Sequence, residues 1–207
     1  MALSLWEGKI LVSIARDAVD SVVRGSEPTA KRSMTGTEGQ FLRVKRGAFV
    51  TLTDPEEKLR GCIGVPFPVK PLGEAVFEAA VGAATRDPRF QRVEPDELDG
   101  LTVEVSALTE PEELKVRPTD LPKHVRIGVD GLIVSGMGSS GLLLPQVATE
   151  YEASPETFLS MTCEKAGLFP DSWLAPNVVV RRFQAEVFTE MTPRGAVGEL
   201  KGSSMLR

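Results

Sequence analysis

The residues best suited to chemistry fall within Leu59-Arg60-Gly61-Cys62-Ile63-Gly64, which brings a cation, a thiol and two glycines together. Side chains of an extended chain alternate between faces, so Arg60, Cys62 and Gly64 share one face and Leu59, Gly61 and Ile63 the other. A guanidinium beside a thiol favours the thiolate, and a glycine in a strand commonly marks close approach of a ligand or another backbone. Two functional readings follow. In one, Arg60 and the backbone around Gly61 and Gly64 recognise a small anionic group or a protein partner, since arginine's planar fork suits carboxylate or phosphate, and Cys62 fills the cleft wall. In the other, Cys62 is an enzyme's nucleophile, activated by Arg60 and by a base such as Glu104. A structural reading also fits: a core cysteine, glycines at a bulge or a helix contact, and Arg60 in an ion pair.

Other candidates are sparser. The single histidine, His124, sits opposite the apolar Val125, Ile127 and Val129, which places it as an exposed strand residue rather than a base for Cys62. No Cys-x-x-Cys, His pair or close acidic cluster supplies metal ligands, and Gly136–Gly141 lacks the Lys-Ser/Thr of a phosphate loop, so neither metal nor cofactor is expected. A net charge of -5 and a pI near 5.1 argue against general nucleic-acid binding, which needs a broad basic surface. Glu7, Lys9, Arg16, Asp17 and Asp20 interrupt the apolar N-terminal stretch, so no membrane span is expected there; with two cysteines far apart, the expectation is a reduced, cytoplasmic protein.

The elements that must position these residues read clearly in places. Ser4 and Glu7 form a capping box ahead of a helical apolar stripe that ends at Gly25. Ser26 to Gln40 reads as a long loop, and Phe41 to Val44 as a short strand. Ala48–Thr53 and Leu59–Gly64 make a hairpin across Asp54-Pro55, and a helix of small residues runs from Leu72 to the Asp87-Pro88-Arg89-Phe90 break. Leu101 to Ala107 alternates as a half-buried strand with Glu104 and Ser106 on its polar face. Val125–Val129 and Leu132–Ser135 read as a second hairpin at Asp130-Gly131, with a further turn over Gly136–Gly141. Gln146 and Glu150, four apart after Pro145, share a face if a helix begins there. Ser154-Pro155 opens a helix with Cys163 inside, and Val178–Phe183 and Ala185–Phe188 read as the last strand or strand pair. Trp6 and Trp173 read as packing residues. A pattern of hairpin, proline, helix and strand occurs twice, over about 41–108 and 125–188. The expected organisation is one domain over 1–190 and a mobile tail over 191–207.

Leu59-Arg-Gly-Cys-Ile-Gly64, Asp87-Pro-Arg-Phe90, Val103-Glu-Val-Ser106, Gly141-Leu-Leu-Leu-Pro-Gln-Val147 and Lys165-Ala-Gly-Leu168 together resemble the AMMECR proteins, named for a human chromosomal region. The resemblance implies an α+β fold in which two strand-and-helix repeats share one barrel-like, largely antiparallel sheet with helices packed outside. It implies no particular reaction. Association of related domains with Memo-like and radical-SAM-type proteins implies a place in a multi-protein pathway. Its signature residues fall here on Arg60, Gly61, Cys62, Ile63 and Gly64, followed by Asp87, Arg89, Glu104, Ser106, Gln146 and Glu150.

Overall fold

The structure is a computed structural model and describes residues 2–27 and 39–200. The long loop expected over 26–40 lies mostly outside the described residues, as does the end of the expected tail. Two compact units are present, one running to Leu108 and resuming at Glu186, the other spanning Thr109–Ala185. The α+β class holds. The single barrel-like sheet does not: the strands form two open antiparallel sheets, one in each unit.

In the first unit, α1 (Leu5–Arg24) begins at the capping box, where Ser4 Oγ accepts from Glu7 N–H and the Glu7 carboxylate accepts from Ser4 N–H at 2.7 Å. It ends at Gly25, whose φ of 67° is the left-handed conformation that glycine adopts without steric cost. Residues Gln40–Arg43 form a short helix, α2, in place of the expected strand. Its Leu42 is buried in the core formed with α1 and α3 (Leu72–Thr85), so tertiary burial overrides the β-like local sequence. Strands β1 (Ala48–Thr53) and β2 (Leu59–Val65) form the expected hairpin, and β3 (Thr102–Leu108) pairs with the other side of β1. Val50, Leu52, Val103 and Val105 turn to the helices and are fully buried, as are Ala75, Ala79 and Ala80 of α3.

The second unit also runs from a hairpin through helices to a returning strand. Its hairpin is β5 (Gly131–Gly136) with β6 (Ser139–Leu143), turning at Met137-Gly138 rather than at Asp130-Gly131. Residues 125–129 do not form the expected strand, because a 3-10 helix over Pro118–His124 precedes them and Asp130 is fully buried accepting from Arg126 and Gln184. His124 ends that 3-10 helix and is not a strand residue. Helices α4 (Pro145–Glu150) and α5 (Pro155–Lys165) follow, and β7 (Val178–Phe183) returns beside β5; β4 (Glu112–Glu113) lies outside it. The order β6-β5-β7 therefore mirrors β2-β1-β3.

Strands β7 and β8 (Ala185–Glu190) do not pair with each other, because each joins a different sheet. Beyond Met191, where a tail was expected, β9 (Val197–Leu200) pairs antiparallel with β8 at the edge of the first sheet. Two buried ion pairs, Arg16 with Glu190 and Arg46 with Glu186, fix β8 in its unit, and Arg16 also donates to the carbonyls of Leu98 and Leu101. Trp6 is about half exposed against Phe41 rather than packed inside, whereas Trp173 is partly buried and donates to Ser160.

Candidate functional site

Strand β2 lies at the edge of its sheet, with β1 on one side only. An edge strand exposes backbone donors and acceptors that must be met by water, by side chains or by another strand. At Cys62 they are met by two side chains from the turn after α3. Asp87 Oδ2 accepts from Cys62 N–H at 2.8 Å, and Arg89 Nη2 donates to the Cys62 carbonyl at 3.4 Å. Asp87 also accepts from Arg89 Nε at 3.0 Å, Nη2 at 2.7 Å and the Arg89 backbone N–H at 3.1 Å. The pair thus stands in for a neighbouring strand. Arg89, foremost, and the two backbone donors hold the buried Asp87 carboxyl well below the usual carboxylate range.

Arg60 is engaged as fully. Its Nε and Nη2 meet Glu97 at 2.6 and 3.0 Å, while Nη1 and Nη2 donate to the carbonyls of Gln91 and Arg92. An anion at Arg60 would have to displace a bidentate carboxylate and two carbonyls, so the anion-binding role expected of this residue finds no free donor fork. Arg60 anchors the segment 91–97 to β2. Glu97 escaped the sequence reading because it lies 37 residues away and nothing local marks it.

The glycines and Ile63 also have structural explanations. A Cβ on Gly61 would fall 2.2 Å from the Ala83 carbonyl oxygen of α3, and one on Gly82 would fall 2.7 Å from Ile63. Helix and strand therefore touch at the small-residue positions of both. A Cβ on Gly64 would meet the Phe49 ring at 2.2 Å.

What the fold leaves over is the row across the sheet's other face. Thr51 pairs with Cys62 on one side and Glu104 on the other, and Phe49 pairs likewise with Gly64 and Ser106. Thr51 Oγ1 donates to Cys62 Sγ at 3.4 Å. Cys62 and Glu104 thus stand two strands apart, about 10 Å between backbones at the usual spacing. Burial pushes the Cys62 thiol above its ordinary value; Thr51 and Arg89 oppose that push, and Asp87 and Glu104 add to it. The cation acting on the thiol is Arg89, not Arg60. The Glu104 carboxyl is raised to about 7 by burial alone, and no cation or donor among the described residues meets it.

The second sheet carries a comparison for this row. Gly141 repeats the role of Gly61, since a Cβ there would lie 2.3 Å from the Ala166 backbone nitrogen at the end of α5. With these glycines superposed, the partners of Cys62, Thr51 and Glu104 are Leu142, Ile133 and Arg181. This winding therefore does not require a thiol, a hydroxyl and a carboxylate at those positions. Thr51 was absent from the sequence candidates, because a register shift between Leu52 and Thr53 is what brings it opposite Cys62 and the separate β1–β3 pairing is what sets it beside Glu104.

Of the remaining candidates, Ser106 is buried on the same face as Glu104. Gln146 and Glu150 do share the short helix α4, which belongs to the second unit; Glu150 is exposed, and Gln146 Oε1 is buried without a partner. Both cysteines are free thiols, Cys163 being on the buried face of α5. Among the described residues no group of side chains is arranged to hold a metal ion, and no helix is long and apolar enough to cross a membrane.

Known proteins are similar to this chain along nearly its whole length. A protein of Methanothermobacter thermautotrophicus is 52% identical over 189 residues, which is 91% of this chain and 96% of that protein. Protein MJ0810 of Methanocaldococcus jannaschii is 46% identical over 201 residues, covering 96% of this chain and 98% of its own length. The crystal structure of the uncharacterised protein PH0010 from Pyrococcus horikoshii, 43% identical, matches with a TM-score of 0.80 over 93% of this chain and 96% of that one. The sequence pattern of the AMMECR1 family matches residues 12–188, a span that takes in both units, the β2 edge with its Asp87–Arg89 cap and the row from Cys62 to Glu104, and the chain belongs to that family.

Proposed function

We propose that the face of the first sheet holding Cys62, Thr51 and Glu104 is a small-molecule binding site, with Glu104 as the group that meets the ligand. The observation that carries this reading is the unpartnered, partly buried Glu104 carboxyl. Burying a carboxylate without a partner is costly, and clusters of displaced titration collect at functional sites. The second sheet supports it, because the same winding there uses Leu142, Ile133 and Arg181.

Catalysis by Cys62 is the second reading. It is favoured by a carboxyl near 7, which suits a general base at neutral pH. The thiol's raised proton affinity and the two-strand separation weigh against direct transfer between the two groups.

The test is to install the residues of the second sheet as Thr51→Ile with Cys62→Leu, together with Glu104→Gln. The triple variant is expected to melt at or above the wild-type temperature, yet fail to restore the phenotype of cells lacking the gene. Full restoration at unchanged stability would refute the site. Cys62→Ser alone separates the readings, because a binding site tolerates it and a thiol nucleophile does not.

A further inference from the structure

Taking that binding site as given, we propose that its ligand presents a protonated amine, which the Glu104 carboxylate meets across Thr51 from the Cys62 thiol. Local charge selects the amine. Arg60 is closed by Glu97, and Arg89 is closed by Asp87 through both edge donors. On β8, Glu186 and Glu190 are engaged with Arg46 and Arg16. Cys62 is held in its neutral form by burial. Among the described residues, Glu104 is left without a counter-charge.

Such a site repels anions and gains from a cation. At an effective dielectric of about 20, unit charges roughly 10 Å apart interact by about 1.7 kcal/mol, or somewhat more than tenfold in a rate or binding constant. Two strand spacings set that distance between Glu104 and a group arriving at Cys62. The geometry also gives the amine a second contact, because the Cys62 sulfur and the Thr51 hydroxyl line the path between strands and accept weakly.

Cys62 itself reports the preference. Three methanethiosulfonates of similar size serve as probes: the cationic 2-aminoethyl, the anionic 2-sulfonatoethyl and the neutral methyl reagent. In each case the Cys62 thiolate attacks the sulfenyl sulfur, a protein–reagent disulfide forms, methanesulfinate leaves with the electron pair of the broken S–S bond, and the thiol proton passes to buffer. Rates at Cys62 are read by peptide mapping of the full chain and divided by each reagent's rate with a free small thiol, so that thiolate content cancels in their ratio.

The expected result at pH 8 is a preference of about tenfold or more for the cationic over the neutral reagent and a still larger one over the anionic reagent, both shrinking toward unity at pH 6 as Glu104 takes up its proton, and shrinking at pH 8 in Glu104→Gln. The pH series needs no substitution, so the test survives a variant that folds poorly. Modification of Cys62 with no charge preference, or with an anionic one, would overturn the amine assignment and leave the site standing. Failure of all three reagents in the native protein, with modification restored in urea, would overturn the site itself.

Discussion

Replacing Glu104 by glutamine should stabilise the protein, and only above a definite pH. In the unfolded chain this carboxyl ionises near its ordinary 4.5, whereas in the folded chain it keeps its proton to about 7. Between those values the folded state binds more protons, so stability falls as pH rises through the window and levels off above about 7. Each tenfold change in proton affinity is worth about 1.4 kcal/mol, which gives roughly 3 kcal/mol in full and about 2–3 kcal/mol once the side chain's partial exposure is allowed for. Glutamine matches the protonated acid in shape and carries no charge. The variant should therefore equal the wild type near pH 5, apart from a constant offset, and exceed it by about 2–3 kcal/mol at pH 8. Urea unfolding at half-unit pH steps would measure this, in a Trp173→Phe background so that Trp6 on α1 reports the first unit. A difference between variant and wild type that stays flat from pH 5 to pH 8 would show that Glu104 has a compensating partner, and the charge argument would fail.

Two further outcomes test how the site is held. Gly61→Ala forces its Cβ against the α3 backbone, a contact that no side-chain rotation relieves; a loss of about 1–3 kcal/mol is expected, and Gly141→Ala should cost a similar amount in the second unit, while a melting curve within one degree of wild type for either would refute the close approach. Asp87→Ala leaves the Cys62 N–H and the Arg89 fork without their acceptor, so the Cys62 amide should exchange with deuterium many-fold faster, and unchanged exchange at that residue would show that the edge is protected by something else.

Much of the first unit was legible in the sequence because its signals are local. The capping box at Ser4, the alternation of β3 and the small-residue stripe of α3 each follow from neighbours a few positions apart. The second hairpin was misplaced because Asp130-Gly131 is a strong turn dipeptide whose aspartate is instead consumed by Arg126 and Gln184, a requirement that no local rule registers. The site residues were found by type and their roles were not. Arg60 and Cys62 do project from the same edge strand, but the guanidinium's fate was decided by Glu97, and the cation near the thiol came from Arg89. Parity within a strand assigns a face; it does not say which distant loop will arrive to claim a charge.

The return of β8 and β9 to the first sheet has a consequence for the order in which the chain can mature on the ribosome. When synthesis reaches Leu108, α1, α3 and three strands of that sheet exist, while Arg16 and Arg46 still lack the carboxylates that they are buried against, Glu190 and Glu186. The whole intervening stretch Thr109–Ala185 emerges next, and it is contiguous and carries its own core. The later-made unit can therefore be finished before the earlier-begun one. Until the final strands appear, β3 offers an unpaired edge beside two uncompensated cations, a form that invites chaperone capture rather than release.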